Sequence, residues 1–517
     1  MDLRRRETIA GAAGAGVALG ITELARGLSE AVPSFALAVS QRAVELAPGG
    51  IATAIIGVLG SSATPLLVSI VVLAALFICA RIGELSRRRP GAALAGAGAL
   101  VAAGIAAALF EPGASPPAVI STGLVALAAG AGVVRLMLRG PAEGDAVPEY
   151  RRAAAMNRRR FLALAGGAAL LGLSGAAAGR MLSDRRAATA VSAKLPVSPA
   201  GVKKLPPPPA GASFAVEGMP PLITPKEDFY LIDTAIYAPR VNAEEWQLKI
   251  SGAVRNPFAL TYRDLLSLPA REVDITIACV SNEVGGGLVS NGRWTGVLLS
   301  DILEEAGLRR GELDGASDQL VGRAVDGWTA GFRTGLALDG REALVAYGMN
   351  GETLPIEHGY PARLVVPGLY GYVSATKWLS EIELTGWREF DAYWTVRGWA
   401  KEGPIKTQSR IDTLTSGDTL PAGPVDVGGV AWAPTRGIER VEVSTDGGNT
   451  WDEAELAAEL SENTWRQWLY RWEAEPGEHT LQVRATDGTG ETQTAERSAP
   501  APAGATGYHT VNVTVEG

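Results

Sequence analysis

Val273-Asp274-Ile275-Thr276-Ile277-Ala278-Cys279-Val280-Ser281-Asn282-Glu283-Val284-Gly285-Gly286-Gly287 begins as an alternating strand and ends in a polar, glycine-rich loop. Such a loop lets backbone approach a ligand closely. Cys279, at the junction, has three readings. It can be a small buried hydrophobe, a nucleophile whose base would have to be His358, or a thiolate ligand for a soft or high-valent metal. One cysteine cannot hold a metal, so the third reading needs a cofactor that brings most of the ligands.

Downstream, His358-Gly359-Tyr360-Pro361-Ala362-Arg363-Leu364-Val365-Val366-Pro367-Gly368 leads to Ser374-Ala375-Thr376-Lys377. A strand entering a glycine turn, with Ser, Thr and Lys donors grouped at its far end, suits an anionic phosphate. Upstream, Trp246–Ile250 alternates as a strand, Thr261 caps a short helix, and the helix from Leu299 stops at Gly307. Residues 214–395 are therefore expected to be a mixed α+β domain.

Beyond it, Gly437–Ser444 alternates into the hairpin signal Thr445-Asp446-Gly447-Gly448. Trp468, Tyr470 and Trp472 share one strand face that reads as core, and Leu481–Arg484 and Val511–Val515 add strands. Residues 396–517 are expected to form an all-β immunoglobulin-like sandwich without a disulfide. His479 and His509 read as ordinary surface or strand-end residues.

The 517 residues carry 63 Gly, a net charge of -8, 3 His and 2 Cys. Too few Cys and His exist to build a zinc, iron–sulfur or haem centre from side chains, and the acidic balance excludes nucleic acid as the partner. Every Trp lies at or after Trp246, so the N-terminal part differs in kind. Its apolar stretches near 8–25, 64–82, 91–110, 117–137 and 161–179 approach the ~20 residues that cross a bilayer. Arg4–Arg6, Arg87–Arg89 and Arg151–Arg160 all fall on the cytoplasmic side if five helices span. Residues 33–62 then form an external amphipathic or re-entrant piece. Cys79 lies within a span and reads as packing. Asn157-Arg158-Arg159-Arg160-Phe161-Leu162 reads equally as a positive flank and as an internal twin-arginine export signal. Residues 1–182 are thus expected to be the α-helical transmembrane region, and 183–213, with Pro206–Pro209, an extended linker. The soluble part is expected on the outer face of the cytoplasmic membrane. No His occurs in any span, which leaves no place there for a bis-histidine haem.

Segment 214–517 resembles the sulfite oxidase family of molybdopterin enzymes. The shared stretches are Cys279-Val280-Ser281-Asn282, Arg293-Trp294-Thr295-Gly296-Val297, Met349-Asn350-Gly351, the His358–Gly368 run and Lys377-Trp378. The last segment resembles the family's dimerisation domain. The resemblance implies one molybdenum-molybdopterin per chain, with Cys279 as metal ligand. Tyr230, Asp233, Ser281, Asn282, His358, Arg363, Ser374, Ala375, Thr376 and Lys377 fall where the family contacts the pterin; the loop from Ser374 to Lys377 is one residue longer here. Arg293 and Asp326 are candidates for orienting substrate or water. Where sulfite oxidases proper place arginines and a tyrosine, this chain has Ile232, Val284 and Ala330, which implies poor binding of sulfite.

The expected activity is oxygen-atom transfer on a small, sulfur-containing substrate, with electrons passed to a separate cytochrome or quinone-linked protein, no haem or iron–sulfur cluster of its own, and a homodimer as the assembly. The rivals are reduction of sulfoxides such as methionine sulfoxide and, in another class, a non-catalytic membrane-tethered binding protein.

Overall fold

The computed structural model describes residues 3–29, 31–46, 63–111, 114–138, 158–191, 202–235 and 238–517. They fall into two compact units, Met1–Ser192 with Ala235–Arg240, and Ala193–Thr234 with Val241–Gly517.

The first unit contains α1 (Leu3–Leu28), α2 (Phe35–Leu46), α3 (Ala63–Leu85), α4 (Pro90–Leu109), α5 (Pro116–Leu138) and α6 (Arg158–Val191). All except α2 are long and apolar enough to cross a membrane, which gives five candidate spans among the described residues. The apolar run 50–62, Arg151 and Asn157 lie outside those residues. Helix α1 packs against α3, α5 and α6. Glycines bring its backbone close to that of α6: a Cβ on Gly20 would stand 2.5 Å from the Gly172 carbonyl oxygen. Contact of bare backbones is how helices associate where no hydrophobic drive exists between them.

The second unit opens with β1 (Gln247–Gly252), β2 (Phe258–Thr261) and α7 (Tyr262–Ser267). Thr261 caps α7 in a reciprocal box with Asp264, so the sequence signal is realised in full. There follow β3 (Ala270–Ala278), β4 (Val289–Leu298), α8 (Leu299–Glu305), β5 (Gln319–Ala324), β6 (Thr329–Arg333), β7 (Leu344–Met349), β8 (Glu352–Thr353), β9 (Arg363–Val365), α9 (Gly371–Ser374) and β10 (Leu379–Thr385). Two sheets result, β2-β1-β10-β5-β6 and β3-β4-β7-β8, with β9 also paired to β7. Strand β3 is outermost in its sheet and ends one residue before Cys279.

The remaining strands are β11 (Gln408–Ile411), β12 (Thr419–Pro421), β13 (Gly423–Trp432), β14 (Ile438–Ser444), β15 (Asp452–Glu453), β16 (Glu455–Leu456), β17 (Arg466–Ala474), β18 (Gly477–Asp487) and β19 (His509–Glu516). They form sheets β11-β13-β17-β16 and β12-β19-β18-β14-β15. Both contribute to one core, in which Trp468 and Trp472 meet Val441, Leu481 and Val513 while Tyr470 packs at its margin. The aromatic stripe is core, as its spacing predicts.

Candidate active site

Cys279 is buried at the end of β3, held by its N–H to Leu288 O at 2.9 Å. Burial pushes its thiol up, and hydrogen bonds from the Ser281 backbone and hydroxyl pull it back down. Asn282 closes the following loop by accepting the Leu288 N–H at 2.7 Å. Ser281 and Asn282 therefore act on the thiol and its loop directly.

The His358–Lys377 segment folds back on itself. Gly359, at φ 111°, terminates the short turn after His358, and a Cβ there would meet Lys377 Cα at 3.1 Å. Only glycine allows the two ends of the segment to approach this closely. Arg363 is buried under the indole of Trp294, 4.9 Å from its ring centroid, and donates to His358 O at 3.1 Å. Burial lowers Arg363 to about 10, against the opposing fields of Tyr230 and Asp233. Lys377 Nζ lies 2.5 Å from the Asp233 carboxylate and donates to Glu357 O at 2.8 Å. His358 stands edge-on to Phe229, its Nε2 3.2 Å from Lys226 O. Burial and the neighbouring Arg363 and Lys377 hold it down at about 4, so the ring is neutral.

Tyr230 links the two halves. Burial pushes its phenol well above the usual range; the charges of Cys279 and Arg363 both act on it. A Cβ on Gly371 would fall 3.7 Å from the Tyr230 hydroxyl and 3.8 Å from Ala278 O. Thiol, phenol, guanidinium and ammonium are thus gathered into one region.

Other expected contacts resolve differently. Ser374 turns its hydroxyl back to Tyr370 O at 3.1 Å, Ala375 offers no polar side chain, and the buried Thr376 hydroxyl has no partner. Of the four residues in that loop, Lys377 alone joins the charged cluster. Arg293 is bound by the carboxylate of Asp274 through two hydrogen bonds of 2.8 Å. The register pairs Arg293 with Asp274 on β3, about 16 Å of strand before Cys279. Its charge is engaged in joining two strands. Asp326 lies in the β5–β6 turn, where it accepts from Trp328 N at 3.0 Å and its field acts on Asp233 and Lys377. These contacts place Asp326 beside the cationic cluster.

Two participants were not singled out from sequence. Tyr370, raised to about 12 mainly by burial, also feels the charge of Cys279; it sits in the Gly368-Leu369-Tyr370-Gly371 turn, whose paired glycines were the available signal. His509 begins β19, a strand-end place as expected, and rests against Gly285; no local signal marks that contact.

The cluster suits a bound anion. Arg363 and Lys377 bury two positive charges against the Asp233 carboxylate, and desolvating a charge costs several kcal/mol unless a counter-charge is supplied. A phosphate could supply it, and a thiol is of the type that ligates a metal carried by a cofactor.

Residues 235–394 match the family model described as "Oxidoreductase molybdopterin binding domain", and 391–515 match "Mo-co oxidoreductase dimerisation domain". Mitochondrial sulfite oxidase of Rattus norvegicus is 30% identical over 305 residues, covering 50% of this chain and 54% of that protein. Nitrate reductase [NADH] 1 of Arabidopsis thaliana is 29% identical over 270 residues, 42% of this chain and 29% of that protein. The chain spans about half the length of the sulfite oxidases it matches. Among solved structures, the sulfane dehydrogenase SoxCD of Paracoccus pantotrophus aligns with a TM-score of 0.49 at 25% identity, covering 58% of this chain and 85% of that one. With both domain models matched in order along residues 235–515, this chain belongs to the sulfite oxidase family of molybdopterin-dependent oxidoreductases.

Proposed function

We propose that the protein is a membrane-anchored oxidoreductase that transfers an oxygen atom to or from a small sulfur compound. The observation that carries this reading is the gathering of Cys279, Tyr230, Arg363 and Lys377 into one buried region. Cys279 would be the protein's ligand to molybdenum. Arg363 and Lys377 would hold the pterin phosphate, with His358 packed beside them and Asp233 fixing the ammonium. When bound, the cofactor supplies two-electron oxygen exchange with water; the protein supplies its orientation and surroundings.

An uncharged substrate fits better than a dianion. Ile232 is 43% exposed and the adjacent Leu231 49% exposed, while Ala330 stands where a tyrosine is expected and Arg293 is bound to Asp274. Apolar side chains at these positions offer nothing to pair with two negative charges. The remaining parts of the reading are an outward-facing soluble part, an immunoglobulin-like last domain through which two copies pair, and a separate cytochrome or quinone-linked electron carrier. The first two are supported by the five apolar helices, the positive clusters between them, the two facing sheets and the dimerisation-domain match.

The test is elemental and pterin analysis of detergent-purified wild type and Cys279→Ser, followed by turnover with sulfite, with uncharged thio compounds and with sulfoxides. Molybdenum and pterin near one per chain in wild type, with loss of metal in the variant and turnover of an uncharged compound, is the expected outcome. Metal-free wild type from a host competent in cofactor synthesis and export would refute it.

A further inference from the structure

The last domain grips the strand and loop of Cys279 at two places. Upstream, Thr276 N donates to Asn463 O at 2.9 Å and its hydroxyl accepts from Trp465 N at 2.7 Å. This fills part of the free edge of β3, which would otherwise present unpaired backbone groups. Downstream, Arg410 Nε lies 2.6 Å from Asp412 Oδ1 while Nη1 donates to Gly286 O at 2.7 Å. Beside it His509 accepts from Ile411 N on Nδ1 at 3.0 Å. Its ring covers Gly285, whose φ is +79°, so tightly that a Cβ there would stand 2.1 Å from Cδ2.

We infer that Arg410, Asp412 and His509 are positioning residues for the loop that carries the metal-binding thiolate. The inference rests on the proposed role of Cys279. Three successive glycines give that loop more freedom than any other residue type would, and ordering them costs conformational entropy. Asn282 closes the loop only from within; the guanidinium of Arg410 and the ring of His509 fix it from outside. A planar fork suits this bridge, since one edge meets a carboxylate while another N–H reaches a carbonyl. Asp412 is accounted for by the same device: its Oδ2 is buried with no hydrogen-bond partner, a costly placement that the hold on Arg410 offsets. Outer contacts of this kind orient the groups that touch a metal.

The test uses the full chain with Cys79→Ala, so that Cys279 is the single thiol. In cofactor-free protein, from a host unable to make the pterin, iodoacetamide reacts with Cys279 only as fast as its loop opens. Arg410→Gln is expected to raise that rate about tenfold, the factor carried by loss of one charge-assisted hydrogen bond, and Arg410→Lys to recover part of it. In loaded protein, Arg410→Gln is expected to shift the thiolate-to-metal charge-transfer band without lowering molybdenum per chain. Unchanged rate and band in Arg410→Gln and Asp412→Asn overturn the inference. Should Arg410→Gln fail to fold, His509→Gln gives the same two readouts. Full molybdenum content in Cys279→Ser overturns instead the ligand assignment beneath, which the alkylation rate does not touch.

Discussion

Lys377 and Asp233 form an ion pair of 2.5 Å, with side chains 11% and 16% exposed, beside the buried guanidinium of Arg363. Asp233→Asn leaves two buried cations with only the weaker field of Asp326 to oppose them. Cofactor-free protein should lose about 3 kcal/mol of stability, the scale for removing one partner of a buried pair. The loaded protein should lose much less, because the phosphate supplies negative charge. Denaturant unfolding of both forms measures the difference, and equal losses would mean that no anion binds there.

The Asp274–Arg293 pair predicts a stability defect without a catalytic one. Asp274→Asn weakens a two-bond link between β3 and β4 in which the carboxylate is 6% exposed. Unfolding free energy should fall by about 2–4 kcal/mol, with KM unchanged in the molecules that remain folded. A raised KM would restore Arg293 to the substrate.

Acid should weaken the soluble unit in a defined way. His358 and His509 are each held at about 4, chiefly by burial. Their folded values lie below the ordinary 6.5, so the stability they contribute is complete above pH 6.5 and lost as pH falls toward 4. Asp412, raised to about 6 by burial, works in the opposite sense, since the folded state takes up its proton first. These groups leave a net uptake of about one proton on unfolding near pH 5, a slope of about 1.4 kcal/mol per pH unit. In cofactor-free protein His358→Gln should flatten this component, and Asp412→Asn should steepen it to about two protons. The slopes of unfolding free energy between pH 4.5 and 6 (about 1.4 kcal/mol per unit for each proton) decide it; equal slopes in all three proteins would contradict the assignment.

Gly285 and His509 should be energetically coupled. Gly285→Ala places a methyl group 2.1 Å from the ring and adds a left-handed backbone penalty of about 1 kcal/mol. His509→Ala removes the clash but not the penalty. The double variant should therefore be more stable than the sum of the single changes predicts, by about 1 kcal/mol or more for residues in contact. Strict additivity would mean that the ring swings away freely.

What the sequence made legible was local. The Thr261 cap, the alternation into Cys279 and the aromatics of β17 each depend on residues a few positions apart, and each appears in the structure. The partner of Arg293 was not legible, because Asp274 is brought to it by the register between β3 and β4, which alternation alone does not determine. His509 and Arg410 were illegible for a stronger reason: their meaning comes from a loop far back in the chain, and neither carries a motif. Ser374 and Thr376 look like phosphate donors by composition; in the structure the Ser374 hydroxyl meets the Tyr370 carbonyl and the Thr376 hydroxyl is buried without a partner.

The covering of β3 has a consequence for how the molecule is made. Asn463, Trp465, Arg410 and His509 all emerge from the ribosome after Cys279. The strand that bears the thiol is therefore synthesised early and secured late. Until residue 410 has been added, the cysteine loop is held only by bonds within itself, such as Cys279 N to Leu288 O and Leu288 N to Asn282, and a chain cut short of residue 509 would lack part of its outer restraint.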